Sequence, residues 1–397
     1  MPINGKSTLI SKLTGIIAVV ALVALGGIVV LSGTDRIAID AMRSPSLQGW
    51  PYDLGASKSR ATQALNGGGP ASAVPYIQRS IITDPLDSRI VGLLGRARLL
   101  AGDEAAAETA FRVSGELGWR DPNTQIYWMG KALEVGDTKV AAERLDALLR
   151  QFPNFEARDQ LIAGLARNPD ASTELAKRLK LAPSWTDLFA SPPKDLPAAQ
   201  VVWRAEVMRL VGRGVFECAK STRLVNNLIS LDLLRDATAL WRANCLGPTS
   251  LIYDGGFEHI DTTEATGGFD WQLSNRGDVD VQVEEAAPGN RRLHVTVNAA
   301  NTVSILSQLV VRLPGHYRLS WNTPDTDAEA ARALSISFDC KGSLGKAVQG
   351  QPTDAKNGYA IDFNADSACA ASLLRFWLRP KVSVRLDDVR LSPIPAQ

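Results

Sequence analysis

The sequence predicts an α + β multidomain protein: an N-terminal transmembrane helix, an α-solenoid, and then an antiparallel β-sandwich. Three observations carry this prediction. They are a long uncharged run near the N-terminus, a 34-residue repeat in a helix-rich region, and short alternating runs from about residue 251. The chain has 397 residues, which is enough for two or three domains.

The uncharged run covers residues 13–34. Its 22 residues exceed the ~20 that a helix needs to cross a bilayer. Lys6 and Lys12 precede the run and charges of both signs follow it, so the positive-inside rule places residues 1–12 in the cytoplasm and the later chain outside. A cleavable signal peptide is the competing interpretation, but its apolar core is normally only ~7–15 residues long. We expect an uncleaved single-pass anchor.

The composition argues against several classes of function. Lys and Arg number 43 against 42 Asp and Glu, and no basic stripe is visible, so no nucleic-acid partner is expected. The sequence contains no GxSxG, HExxH, CxxC or GxGxxG motif, and "NGKST" lacks the upstream glycine of a phosphate-binding loop. His259, His294 and His316 follow no nucleophile or metal pattern. We therefore expect surface histidines and no enzyme.

All four cysteines follow the apolar run, so the expected topology places them in an oxidising compartment. Cys218 and Cys245 flank the last helical stretch, whereas Cys340 and Cys369 lie in the strand-rich region. Sequence alone allows three pairings. We predict the two local disulfides, because each pair lies inside one expected domain; free buried cysteines are the alternative.

The helix-rich region repeats every 34 residues. Glycines recur at this interval: Gly68, Gly102 and Gly136. An alanine and then a large apolar residue follow each glycine: Ala73 and Ile77, Ala107 and Phe111, Ala141 and Leu145. The glycine permits a turn between two antiparallel helices, and the alanine lets those helices approach closely. Prolines are expected to end the second helix of each unit: Pro85, Pro122 and Pro153.

This pattern resembles the tetratricopeptide repeat, whose period is also 34 residues, and Leu94 and Gly95 match its first helix. The resemblance implies helical repeats over residues 54–183. Residues 198–246 are expected to add a helical hairpin that caps the solenoid. Such solenoids generally hold a peptide or protein in a concave groove, so we expect a protein partner there. A spacer is the alternative.

Residues 251–395 contain seven or more short runs such as "VDVQVEE" and "RLHVTVNA", bounded by turn residues, which predict an antiparallel sandwich. "CLGPTS" would be the linker before it. The order of "DGGFE", a tryptophan, "QLVVRLPGHYRLSW", two cysteines and a terminal "VRLDDVRL" resembles the jelly-roll fold of carbohydrate-binding modules. The same sandwich serves many purposes.

The resemblance implies glycan binding by exposed aromatic side chains, on which sugar rings stack their C–H faces. The candidates are Trp271, Trp321, Tyr359 and Trp377. Core packing is the alternative for each. Trp271 and Tyr359 lie in loop-like surroundings, so we expect these two to be exposed and to bind glycan.

The same resemblance implies a structural calcium ion held by Glu258 and Asp388, at the two ends of the sandwich sequence, together with backbone carbonyls. Two solvated carboxylates are the alternative, and no other cofactor is expected.

These features together predict a non-enzymatic accessory protein in the assembly, modification or export of a surface polysaccharide. It would sit in the inner membrane of a bacterial envelope with its bulk in the periplasm. The helices would bind a partner protein and the sandwich a polysaccharide. A pure protein scaffold that stabilises a membrane complex is the first alternative. An enzyme with two facing carboxylates is the second.

Overall fold

The computed structural model describes residues 5–40, 54–168, 170–216, 218–245, 251–260, 267–340 and 343–395. It confirms the predicted fold class, because a helical region precedes an antiparallel β-sandwich of two sheets. The chain divides into two compact units, Met1–Asn168 and Pro169–Gln397. This division lies well before the change of secondary structure near residue 250. Residues 246–250 of the predicted linker lie outside the described residues.

The first helix, α1, runs over Gly5–Asp40. Its segment Ile16–Gly33 has a mean hydropathy of 2.7 and none of it is buried in the protein. By length and composition, this helix could cross a membrane. A signal sequence passes the same test, so the anchored topology stays a prediction.

The rest of the first unit is built from α2 (Leu54–Asn66), α3 (Pro70–Thr83), α4 (Ser88–Leu100), α5 (Glu104–Leu117), α6 (Pro122–Glu134), α7 (Thr138–Gln151) and α8 (Arg158–Leu165). Helix α2 packs on α3, α4 on α5, and α6 on α7. Residues 54–151 therefore form consecutive helical hairpins with the predicted period, while the tetratricopeptide label itself stays a prediction.

The repeat is visible in the backbone of each turn. The repeated glycines all adopt a left-handed φ, between 76° and 82°, at Gly68, Gly102 and Gly136. In each unit the next residue donates its N–H to the carbonyl five residues earlier, at 2.8–2.9 Å: Gly69 to Ala64, Asp103 to Arg98, and Asp137 to Ala132. This bond closes the first helix as in a Schellman motif. The repeated alanines and large apolar residues are all buried.

One of the three prolines does not play the predicted role. Pro85 and Pro153 follow the ends of α3 and α7, as expected. Pro122 instead begins α6, where the missing N–H leaves no hydrogen bond unmade. Helix α5 ends at Gly118, whose φ of 144° favours glycine.

The helices of the second unit are α9 (Ala171–Leu179), α10 (Thr186–Ala190), α11 (Ala198–Val211), α12 (Cys218–Ser230) and α13 (Leu234–Asn244). The region predicted as one hairpin thus holds three helices, because Asp232 turns the chain with a φ of 61° between α12 and α13. Both predicted disulfides are confirmed: Cys218–Cys245 and Cys340–Cys369.

The strands are β1 (Gln272–Leu273), β2 (Val279–Ala287), β3 (Asn290–Val297), β4 (Val303–Val311), β5 (Gly315–Asn322), β6 (Leu334–Cys340), β7 (Val348–Gln349), β8 (Gln351–Pro352), β9 (Gly358–Ala365), β10 (Ala371–Leu378) and β11 (Ser383–Pro393). Helix α14 (Ala328–Arg332) lies between β5 and β6. One sheet has the order β1-β4-β10-β6-β7 and the other β2-β3-β11-β5-β9-β8. The core lies between the two sheets.

Helices α12 and α13 pack directly on the start of the sandwich. The Trp241 ring meets Tyr253 and Phe269 edge-on, at centroid distances of 5.1 and 5.6 Å. The N–H of Gly268 donates to the Asn226 side chain at 2.6 Å. A Cβ on Gly268 would lie 2.8 Å from the Trp241 ring, so a larger residue would separate these elements. The shared packing explains why one compact unit contains both helices and strands.

Candidate functional site

The two aromatic residues predicted to be exposed are buried. Trp271 is 1% exposed and its indole N–H donates to the carbonyl of Asp254 at 2.9 Å. Tyr359 is 7% exposed and stacks on Trp321, its direct partner in the register of β5 and β9. The expectation of exposure was wrong because both rings face the space between the sheets, where they contribute to the core.

Trp377 occupies a different position. It is half-buried on the outer face of the five-stranded sheet, because its neighbours along β10, Phe376 and Leu378, face the core. The register places Ser304 of β4 on one side of Trp377 and Ser335 of β6 on the other. Serine side chains are too small to cover an indole ring. Trp377 is therefore a half-buried indole on the outer face, between two hydroxyl groups.

A hydrogen-bond network fixes this surface. The indole N–H of Trp377 donates to Oγ of Ser337 at 2.9 Å, and Ser337 donates to Oδ1 of Asp339 at 3.0 Å. Oδ2 of Asp339 accepts from Nε of Arg375 at 2.6 Å. Arg375 stands two residues before Trp377 on the same face of β10. The network holds ring, hydroxyl, carboxylate and guanidinium in one arrangement before any ligand arrives.

A cleft of about 550 Å³ lies beside Arg375 on the same face of the sheet. Its walls carry apolar residues from the sheet, the segment after β6 and the α12–α13 turn: Leu309, Leu373, Leu344, Ile229 and Leu234. Asp339 and Arg375 supply charged groups within it. An apolar cleft with a few oriented polar groups is the usual form of a ligand site.

The outer face of the six-stranded sheet is charged. Glu284 accepts from Nε of Arg292 at 3.1 Å and from Nε of Arg385 at 2.9 Å. The hydrogen bond from Arg385 lowers the pKa of Glu284. Farther along the sheet, Arg318 and Asp362 form a surface ion pair at 2.7 Å. The two faces of the sandwich thus offer different chemistry, and the aromatic one belongs to the five-stranded sheet.

Acidic groups gather where the sandwich begins. Burial raises the pKa of Asp270 to about 6, and the charge of Asp254 adds to the effect. Burial also raises the pKa of Tyr253 to about 12, with contributions from both carboxylates. The ionised forms of Asp270 and Tyr253 are thus disfavoured.

The metal site predicted at Glu258 has a different set of neighbours. Donor atoms of Asp254, Glu258 and His259 lie within 4.8 Å of one another. The Asp254 side chain is 2% exposed and its carboxylate accepts from the backbone N–H of His259 at 3.0 Å. Calcium is held by six to eight oxygen atoms, so a calcium ion here would need further oxygen ligands, such as backbone carbonyls, beside the two carboxylates.

The predicted second ligand, Asp388, is not part of that group. The first loop and the last strand do meet, because the N–H of Val389 donates to the carbonyl of Gly255 at 2.8 Å. The Asp388 carboxylate, however, accepts from the side chains of Asn322 at 3.0 Å and Arg390 at 2.9 Å. The calcium site at Glu258 and Asp388 therefore stays a prediction.

A groove of about 500 Å³ in the first unit is lined by α2, α4 and the start of α6, the first helices of successive hairpins. In its lining, Nζ of Lys58 and Oδ2 of Asp87 form an ion pair at 2.7 Å. Burial acts to raise the pKa of Asp87, but hydrogen bonds from Lys58 and from the N–H of Arg89 outweigh it and lower that pKa. The groove therefore offers charged groups beside apolar side chains.

No family model and no curated protein matches this chain. Among solved structures, it is similar to TmCBM61 in complex with β-1,4-galactotriose, with 17% identity over 36% of this chain and 99% of that one, at a TM-score of 0.26. It is also similar to the CBM22-1 xylan-binding domain of Paenibacillus barcinonensis Xyn10C, with 19% identity over 38% and 94%, at a TM-score of 0.23. A third is the bacteriophage CBA120 tailspike protein 4, with 15% identity and a TM-score of 0.26; the match covers 39% of this chain but only 23% of that one. At these low TM-scores, functional assignment rests on the chain's own geometry.

Proposed function

We propose that this chain is a membrane-anchored periplasmic accessory protein in the assembly or export of a surface polysaccharide, and that its role is to bind other molecules. The outer face of the five-stranded sheet binds glycan, and the helical groove binds a partner protein. The observation that carries glycan binding is Trp377, a half-buried indole on the outer face between two serines, with its ring held by Ser337.

The surroundings of Trp377 match what a sugar requires. A pyranose ring presents an apolar C–H face and a rim of hydroxyl groups. The indole can receive the C–H face, while Ser304, Ser335 and Arg375 supply polar groups for the rim. The adjoining cleft extends the surface along β10, so a chain of several sugars can bind in one direction.

Glycan binding is tested with the full chain in a zwitterionic detergent that has no sugar headgroup. A panel of neutral and acidic polysaccharides is titrated by calorimetry and tryptophan fluorescence. We expect binding to at least one glycan and a loss of at least about tenfold in Trp377→Ala, equivalent to about 1.4 kcal/mol. Trp119→Ala removes an exposed indole in the helical unit and should leave the affinity unchanged. Equal results for wild type and Trp377→Ala across the panel, including no binding by either, would refute the proposal.

The periplasmic location is supported by the apolar helix and by the two disulfides. Protease added to intact spheroplasts should then degrade the chain beyond the anchor. A protected protein would contradict the topology.

Partner binding is supported by the groove along α2, α4 and α6. A photoreactive residue at Thr62, inside the groove, should crosslink to one envelope protein. The matched position Thr109, exposed on α5 and outside the groove, should not. Identical crosslinking patterns from the two positions would contradict groove binding.

A further inference from the structure

Two residues of the β2–β3 hairpin and one from the start of β11 form a continuous chain of contacts on the outer face of the six-stranded sheet. Oγ of Ser383 lies 2.8 Å from Nε2 of His294. Nδ1 of the same imidazole lies 2.9 Å from Oε1 of Glu284. A hydroxyl, an imidazole and a carboxylate are thus connected in the order found in serine hydrolases.

The carboxylate sets the direction of these hydrogen bonds. An ionised Glu284 can only accept, so a neutral His294 carries its proton on Nδ1 and leaves Nε2 as an acceptor. The hydroxyl of Ser383 must then donate to Nε2. Oγ of Thr296 lies 2.9 Å from Oγ of Ser383 and can donate to it, which fixes the serine rotamer. The serine is therefore hydrogen-bonded to a base that the carboxylate orients.

The sheet holds the three residues in place. Strand β3 lies between β2 and β11, and the register sets Ser383 opposite Thr296 and Glu284 opposite Arg292. The Glu284 carboxylate is also restrained by Arg292 and Arg385. Groups on neighbouring paired strands keep their spacing better than groups on loops.

Ser383 borders a cleft of about 620 Å³ beside α14. The N–H of Arg385 donates to Oγ1 of Thr326 and not to β3, so this N–H points away from β3. Because N–H directions alternate along a strand, the N–H of Ser383 points the same way as that of Arg385. Arg379 and Lys381 also line the cleft. Asp327 and Glu329 line it as well, so the cleft carries charges of both signs. The N–H of Ser383 is the group best suited to stabilise an oxyanion beside Ser383.

We propose that Ser383, His294 and Glu284 form a hydrolytic site for small carboxylic esters, of the kind that O-acyl groups on a sugar present. Oγ of Ser383 attacks the ester carbonyl carbon while its proton passes to Nε2 of His294. The intermediate collapses as the ester C–O bond breaks, and His294 returns the proton to the departing alcohol. A water molecule then attacks the acyl carbonyl of Ser383 while its proton passes to Nε2 of His294. His294 returns that proton to Oγ as the acyl C–O bond breaks, which releases the carboxylic acid and restores the serine hydroxyl. Ester and water yield acid and alcohol, with no further reactant.

The site is tested with the full chain in detergent by p-nitrophenyl acetate hydrolysis and by labelling with a fluorophosphonate probe. We expect the probe on Ser383, and hydrolysis reduced at least about 100-fold in Ser383→Ala and in His294→Gln. Ser392→Ala is the matched control, since this exposed serine lies on the same strand and should be dispensable. Melting temperatures establish that each variant is folded.

Two outcomes overturn the inference: wild-type hydrolysis no faster than that of Ser383→Ala, or a fluorophosphonate adduct absent from Ser383. The labelling result needs no variant, so it decides the question even if a substitution prevents folding. Labelling of Ser383 requires no glycan. Failure of glycan binding and failure of the ester site are therefore separate results.

Discussion

The pH dependence of stability gives a direct test of the charge arrangement at the start of the sandwich. Asp270 lies in the segment that packs on α12 and α13, and burial raises its pKa from 3.8 to about 6. The folded unit therefore binds this proton more tightly than the unfolded chain does. Ionised Asp270 thus destabilises the folded unit at neutral pH, and this penalty is relieved as pH falls from above 6 towards 4.

The size of the effect follows from the shift. A displacement from 3.8 to about 6 corresponds to up to about 3 kcal/mol. Asp270 is half-buried, so solvent screening reduces the expected value to about 1–2 kcal/mol. Asp270→Asn removes the charge and preserves an oxygen acceptor for the N–H of Gly267. We expect this variant to be more stable than wild type by that amount at pH 7.5 and about equal to it at pH 4.

The assay is urea unfolding between pH 4 and 7.5, read by pulsed hydrogen exchange and mass spectrometry on peptides from residues 267–340, so that the second unit reports by itself. Asp362→Asn is a control of opposite sign, because the hydrogen bond from Arg318 lowers the pKa of Asp362 and stabilises its ionised form. A difference between Asp270→Asn and wild type that stays constant with pH, or an Asp270→Asn variant less stable at pH 7.5, would refute the reasoning.

Further expectations concern the turns, the disulfide and the metal. Gly102→Ala should destabilise the helical unit by about 1–2 kcal/mol, because φ is 82° at this residue. Gly130→Ala, in an open position within α6, should stabilise the same unit by up to about 1 kcal/mol. Melting temperatures that change in the same direction for both variants would contradict this. Replacing Cys340 and Cys369 by serine should cost the sandwich about 3–4 kcal/mol in urea unfolding, since their sequence separation is 29 residues; a change below about 1 kcal/mol would be against it. EDTA should leave the melting temperature unchanged, as expected for two solvated carboxylates. Free calcium at 100 times its Kd would stabilise the folded state by about 2.7 kcal/mol, so a clear loss of stability on chelation would support the calcium site.

The sequence determined the helical repeat well because the information is local. A glycine at left-handed φ and an alanine five residues later act within one hairpin, and both signals are present in each unit. The prediction that Pro122 ends a helix is wrong because proline is also favoured in the first turn of a helix, and Pro122 begins α6. The local disulfides followed from the same short-range reasoning.

The site residues depended on which face of a strand each side chain occupies. Loop-like composition predicts exposure of Trp271 and Tyr359, but both are buried. The register of β5 and β9 directs Tyr359 into the core, and Trp271 packs on Phe257 and Phe376. A signal for Trp377 was available in "SLLRFWLR". Arg375 shares the phase of Trp377, and a charged residue in that phase indicates the outer face. No comparable signal marks Ser383 and His294, which are 89 residues apart and meet only through pairing of β3 and β11.

The packing of Trp241 on Tyr253 and Phe269 has a practical consequence for anyone dissecting this protein. A fragment that begins at residue 251, where helices give way to strands, would lack Trp241. The rings of Tyr253 and Phe269 would then lose this contact and form an exposed apolar patch. Such a fragment would be prone to precipitate on expression, and its failure to bind any sugar would be uninformative. A fragment that begins at residue 169 retains Trp241 and corresponds to the second compact unit, so it is the shorter fragment to purify.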